Sequence, residues 1–442
     1  MGPVSRRLVG LLALALVVAA GRPPAVAAFS GFGPTSAQAT YGSEMTFTVS
    51  LPGGLPDKLE LLLRFGGADS TFVALVDPSP TSAEYRWDTA ARPITPNTPI
   101  EYRWRATEAG KVTVSPERQL LYDDDRPGLN WQTARFGDAT VHWYRDAAAS
   151  ARLFGEVSSG AAAAAEELLG HSLAGPIDIF VYETRDEFFG ALGPGAREWT
   201  GAATYPQLRT IFMWLGGGSN SYLRTTMTHE VTHVVFQDAT VNPFHEPAKW
   251  FNEGLAVWSE EHSADSAAAA VRSEAGGGLL AFDGISESFP IDDRGARLAY
   301  SEGASMVEMI IDDYGRDAIA AIAAAWRDGA GDAEALEAGT GVPVERLYED
   351  YFRSFGVDPP TAVEPAPILP SNVDKPPQPP APTEGAAAPS ATPEATPEPT
   401  SSHTPASPSD GGGLLIVAVV AVGLGVGAFL AVRRGRRGGG LP

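Results

Sequence analysis

The stretch His229-Glu230-Val231-Thr232-His233, followed by Trp250-Phe251-Asn252-Glu253-Gly254, decides how the chain is read. Four residues of α-helix advance about 400°, so His229 and His233 project from one face, one turn apart. Two imidazoles at that spacing can hold one zinc ion, and a catalytic zinc takes a third protein ligand while keeping one position open for water. A second helix predicted to start near Pro247 brings Glu253 to the metal as that third ligand. Glu230, between the histidines, stands where a general base acting on the water belongs.

Outward from this motif the pattern alternates strands and helices. Residues 139–144, 177–182 and 210–214 read as strands, 147–169 as a long alanine-rich helix and 185–192 as a short one. Ser219 or Asn220 is the expected cap of the helix carrying the histidines. Along it Leu223, Met227 and Val231 recur every fourth position and Val234 and Val235 widen the apolar face, which predicts packing against the sheet. Further helices are predicted around 298–313, 318–327 and 344–355. Sheet first and helices after is an α+β arrangement, here spanning residues 126–357.

With these residues in place the sequence resembles the gluzincins, the group that includes thermolysin and the aminopeptidase-N-like enzymes. His229, His233 and Glu253 match the ligand set, and the run PAKWFNEGLA is similar to the Trp-Leu-Asn-Glu-Gly-Phe-Ala signature of the aminopeptidases. Tyr300-Ser301-Glu302-Gly303-Ala304 resembles their Tyr-Glu-Lys-Gly-Ala segment, which implies that Tyr300 donates to the tetrahedral oxyanion. The layout looks most like the bacterial peptidase-MA-like proteins of that clan. The resemblance implies a zinc metallopeptidase with Zn2+ as cofactor and a peptide or protein as substrate. One departure matters: the aminopeptidases carry Gly-x-Met-Glu-Asn on the loop before the edge strand, and its glutamate binds the substrate's free amine. The corresponding run here is Gly201-Ala202-Ala203-Thr204-Tyr205, with threonine in the place of that glutamate. The resemblance therefore implies an endopeptidase. The strand over 210–214 is the expected seat for an extended peptide added as an extra strand.

The remaining histidines are read as bystanders. His142, His171, His262 and His403 lack metal-ligand partners in sequence, while His245, in the connection between the two ligand helices, is either a proton donor in the cleft or a loop histidine in solvent.

Residues 29–125 have period two. Met45, Phe47, Val49 and Leu51 alternate with polar neighbours, as do Leu59, Leu61, Leu63 and Phe65, and then Ile100, Tyr102 and Trp104. Six or seven short strands at this spacing predict an all-β sandwich, immunoglobulin-like or fibronectin-like in outline. Asp123-Asp124-Asp125 reads as a solvated charge run in preference to a calcium site.

The ends place the chain. Residues 1–28 combine Arg6 and Arg7, an apolar run and Ala25-Val26-Ala27, the pattern of a secretory signal peptide. Residues 358–413 are rich in Pro, Ala and Thr and predict a disordered stalk. Residues 414–432 carry no charge over a length that can cross a bilayer, and Arg433, Arg434, Arg436 and Arg437 follow in a basic tail, 433–442. Basic residues on that flank keep the tail cytoplasmic, so the expectation is a single-pass protein of the cell membrane, its N-terminal domains outside a bacterial cell. The net charge of −22 argues against nucleic acid, because phosphate binding needs a basic face. Absence of cysteine removes disulfides, thiolate metal sites and cysteine nucleophiles. The expected whole is multidomain: a β-sandwich, an α+β gluzincin-type protease domain, a stalk and one transmembrane helix. Two other functions stay open here, a catalytically inactive zinc-containing surface binding protein and a zinc hydrolase of a non-peptide amide or ester.

Overall fold

The computed structural model describes residues 29–360, apart from 67, 69, 194–200, 217–218 and 261–262. The signal peptide, nearly all of the stalk, the transmembrane segment over 414–432, the basic tail, His262 and His403 lie outside the described residues. Among the described residues, no helix is long and apolar enough to cross a membrane. The chain divides into two compact units at Leu129 and Asn130.

The first unit holds eight strands, β1 (Thr35–Thr40), β2 (Glu44–Ser50), β3 (Lys58–Phe65), β4 (Phe72–Leu75), β5 (Ser82–Asp88), β6 (Thr98–Glu108), β7 (Lys111–Val114) and β8 (Arg118–Tyr122). They form two antiparallel sheets, β1-β2-β5 and β4-β3-β6-β7, with β8 also paired to β6. The period-two pattern fixes which face turns inward: Met45, Phe47, Val49, Leu59, Leu61, Leu63, Ile100, Tyr102 and Trp104 share one core, and a slip of one residue would turn them all to solvent. Phe47 and Tyr102, one from each sheet, meet edge to face at 5.2 Å between centroids. The aspartate run is not uniformly solvated. Asp124 is buried and accepts from Arg126 Nε at 2.7 Å, because its carboxylate closes a local ion pair that the spacing alone does not announce.

The second unit begins with β9 (Gln132–Phe136), β10 (Ala139–Trp143), α1 (Ala148–Leu169), β11 (Ile177–Tyr182), α2 (Arg185–Leu192), β12 (Ala202–Tyr205) and β13 (Thr210–Trp214). The ligand helices α3 (Asn220–Thr240) and α4 (Lys249–Ser259) follow, then α5 (Ser263–Glu274), α6 (Asp293–Tyr314), α7 (Arg316–Arg327), α8 (Asp332–Thr340) and α9 (Val344–Ser354). The strand order is β12-β13-β11-β10-β9. The three central strands are parallel, and β11 and β13 are apolar almost throughout because both their faces are covered. Both edges run antiparallel to their neighbours.

That order corrects one expectation. The strand Thr210–Trp214 is interior, with a neighbour on each side, and the edge is β12, the run expected to be a loop. Four residues, Ala-Ala-Thr-Tyr, are too short and too weakly apolar to announce a strand. Pairing to β13 makes them one.

Helix α3 lies against this sheet with Leu223, Met227, Val231, Val234 and Val235 buried in the common core. Its start is capped as expected, by Ser219 accepting from Tyr222 N at 3.2 Å. Helix α4 crosses α6 where Gly254 faces Gly303. A Cβ on Gly254 would lie 2.3 Å from the Gly303 carbonyl carbon, and one on Gly303 would lie 2.4 Å from the Trp250 oxygen. The two glycines bring the backbones together, which explains their place in both quoted signatures.

Candidate metal centre

Helix α3 carries His229, Glu230 and His233, and α4 carries Glu253; all four side chains are buried. One ligand atom from each of His229, His233 and Glu253 lies within 4.8 Å of the other two. Glu253 Oε2 is 3.7 Å from His229 Nε2 and 3.4 Å from His233 Nε2. The imidazoles stand nearly perpendicular, at 81°.

The opposite edge of each ring is committed. His229 Nδ1 is 2.8 Å from Glu260 Oε1, and His233 Nδ1 is 2.8 Å from Asn252 Oδ1. An imidazole that donates from Nδ1 presents the Nε2 lone pair, so these partners fix the tautomer a metal ligand needs. Asn252 precedes Glu253, and Glu260 follows the end of α4. One short helix together with its C-cap residue therefore supplies a ligand and the partners of both histidines. Neither partner is evident from the His-Glu-x-x-His spacing; the signal for Asn252 was its place beside Glu253.

Four buried polar atoms here have no hydrogen-bond partner: His229 Nε2, His233 Nε2, Glu253 Oε2 and Glu230 Oε1. An unpaired buried polar atom costs about 1–3 kcal/mol. Three ligand atoms converging without partners are the donor set of a tetrahedral zinc site with one open position, so the residues fit a zinc ion. The other Glu253 oxygen, Oε1, is 3.6 Å from Lys249 Nζ.

The electrostatics follow from burial and from these neighbours. Burial alone would raise the Glu253 carboxyl; the imidazoles of His233 and His229 outweigh it and hold Glu253 below the ordinary carboxylate range. On His229, burial acts downward, and Glu253 and Glu260 overcome it and carry the ring above the ordinary imidazole range. A metal ion entering the site must therefore displace a proton. Glu230 is pushed up by burial, with Glu253 adding to the effect, against the pull of both histidines and Thr204. Removing either ring partner, by Asn252→Ala or Glu260→Ala, is expected to weaken zinc binding about 10–100-fold. Competition with a graded chelator measures this, and unchanged affinity in both variants would deny these groups an orienting role.

Tyr300 lies on α6, buried with Val257, Ala267 and Ala304 and edge-on to Phe289 at 5.0 Å. Val257 is one turn beyond Glu253, so the tyrosine is on the side of α6 that meets α4. His245 is partly exposed and paired. Its Nε2 is 2.7 Å from Asp332 Oδ1, an atom that also accepts from Trp326 Nε1 and Ala248 N. His142 pairs with Asp178 and His171 with Asp238, away from any metal cluster among the described residues.

Glu302, two residues after Tyr300, was not singled out by the sequence. It is fully buried, with Oε1 accepting from Leu280 N at 2.8 Å and Oε2 unpartnered. Burial pushes its carboxyl up to about 8. Between roughly pH 4.5 and 8 the folded chain keeps a proton that the unfolded chain releases, so stability falls as pH rises through that window and levels off above it. Glu302→Gln is expected to flatten this slope and to gain on the order of 3 kcal/mol relative to wild type at pH 8. Urea unfolding at pH 5 and pH 8 reads it; parallel slopes for the two proteins would place the loss elsewhere.

A search of the curated proteins found no match. Among solved structures, an M1 zinc metallopeptidase from Deinococcus radiodurans aligns at 12% identity and TM-score 0.33, covering 71% of this chain and 89% of that one. An aminopeptidase N family protein from Idiomarina loihiensis aligns at 9% identity and TM-score 0.32, covering 72% of this chain and 69% of that one. Scores at that level leave the functional reading to the residues themselves. Residues 158–356, which include both ligand helices and α6, match the model of the Peptidase MA superfamily. Over these residues, a little under half of the chain, the sequence is similar to the Peptidase MA superfamily, the group to which the sequence resemblance also points.

Proposed function

We propose that the protein is a membrane-anchored extracellular zinc endopeptidase, with His229, His233 and Glu253 as metal ligands and Glu230 and Tyr300 as catalytic residues. The observation that carries this reading is the convergence of unpartnered buried atoms from His229, His233 and Glu253, with Glu230 between the two histidines also keeping an unpartnered oxygen. When bound, zinc supplies Lewis acidity that polarises the scissile carbonyl and lowers the pKa of water.

The chain's own groups do the rest. Glu230, with Oε1 unpartnered and its pKa raised by burial, takes a proton from the attacking water and hands it to the leaving amine. Tyr300 donates to the developing oxyanion, a contact worth about 3 kcal/mol in the transition state. The last strand of the sheet, β12, is the place where an extended peptide would pair as an added strand. Threonine at position 204 supplies no counter-charge for a substrate ammonium, which favours internal cleavage over amino-terminal trimming. The residues 1–28 and 414–432, with the arginines that follow, support secretion and a single membrane span, the enzyme and an immunoglobulin-like or fibronectin-like sandwich standing outside on a stalk.

Purified protein on a mixed peptide library tests the reading. Internal cuts that stop on chelation and return with zinc are the expected result. Trimming from the amino end would make it an aminopeptidase instead. No cleavage by a zinc-loaded protein would leave a binding protein, or a hydrolase of non-peptide amides or esters.

A further inference from the structure

Thr204 is buried at 1% exposure on the edge strand β12, and its Oγ1 donates to Glu230 Oε2. Glu230 is itself fully buried, and its other oxygen, Oε1, has no partner. The hydroxyl is held from both sides of the bond. Pairing of β12 to β13, with Thr204 opposite Ile211, fixes the backbone, and a β-branched side chain has few rotamers to choose from. The carboxylate is carried by α3, which packs on β12. One link thus runs from the sheet edge to the residue between the two histidines. It occupies one carboxylate oxygen and leaves the other for chemistry.

We propose that Thr204 is a positioning residue: its hydroxyl fixes the Glu230 carboxylate so that Oε1 alone faces the reacting water. The proposal deepens the peptidase reading and rests on it for the identity of the reaction. It also gives position 204 a use: a hydroxyl spent on Glu230 is not available to a substrate amine. A free carboxylate could swing between rotamers or turn either oxygen inward, and a misplacement of about 1 Å can cost 100-fold in rate. With the hydroxyl gone, Oε2 is a buried acceptor lacking its donor.

Thr204→Val keeps the shape and removes the donor, and Thr204→Ser keeps the donor. In zinc-loaded protein, Thr204→Val is expected to lower kcat about 10–100-fold with KM within about twofold and zinc content unchanged, and Thr204→Ser to recover most of the loss. Metal-free protein supplies a readout independent of turnover. There Thr204→Val should raise the unfolding constant about fivefold or more, and change it less than about twofold when Glu230→Ala is already present. An active wild type matched in kcat by Thr204→Val overturns the proposal, as does a loss confined to KM or to zinc content. Equal destabilisation with and without the Glu230 carboxylate overturns it too. A wild type that cleaves nothing sinks the peptidase reading instead, and the metal-free cycle still decides whether the two residues act as a pair.

Discussion

Glu230→Gln is expected to abolish nearly all peptide hydrolysis, by about 100-fold to 10,000-fold in kcat, with zinc content unchanged. The two side chains have the same shape, and an amide oxygen can still accept from Thr204, so the fold around α3 has no reason to move. What is lost is a group able to take a proton. Glu230 is not among the three atoms that converge as ligands, so metal binding should survive. Initial rates on a cleaved peptide, beside elemental analysis of the same sample, separate the two properties. A variant within about tenfold of wild type and fully loaded would remove Glu230 from the mechanism.

Gly254→Ala is expected to damage fold and site together. The added methyl would sit 2.3 Å from the carbonyl carbon of Gly303 and 2.5 Å from its oxygen, both backbone atoms with no rotamer to yield. Helices α4 and α6 must separate, and overpacking of this kind costs about 3 kcal/mol. For a domain of this size that corresponds to a fall in Tm on the order of 10 °C. Glu253 precedes the substituted residue and moves with α4, so zinc affinity should fall with stability. Thermal unfolding with and without zinc tests both. A Tm and an affinity equal to wild type would mean that the crossing is looser than its distances indicate.

The parts of the site legible in the sequence are those whose geometry is local. A helix fixes the relation of His229 to His233 by spacing alone, and Glu253 was found because its neighbours form a recognisable run. Strands β11 and β13 were readable because buried parallel strands are apolar almost throughout, and β10 because Ala139 and Val141 alternate with less buried neighbours. What the sequence concealed depends on pairing between distant segments. The four residues of β12 acquire edge-strand identity only from β13, and the hydroxyl of Thr204 acquires its partner only when α3 covers that edge. Helices α5 and α8 were missed because alanine-rich and acidic runs of this length show no clear apolar period. Glu260 and Glu302 looked like ordinary acidic residues, and burial is a property of the fold that no spacing reports.

Asp332 has a consequence for how the centre comes together. By accepting from His245, Ala248 and Trp326, its carboxylate ties the lead-in to α4 to the C-terminal helices, whereas α3 is seated on the sheet. Helices α3 and α4 nonetheless share one core, since Phe236 of α3 and Phe251 of α4 both pack on Trp326, and His233 reaches Asn252 across the boundary. A metal ion bound to all three ligands would add one more tie between the two helices. Its affinity would then report how α4 is seated on α3 as well as the quality of three ligands.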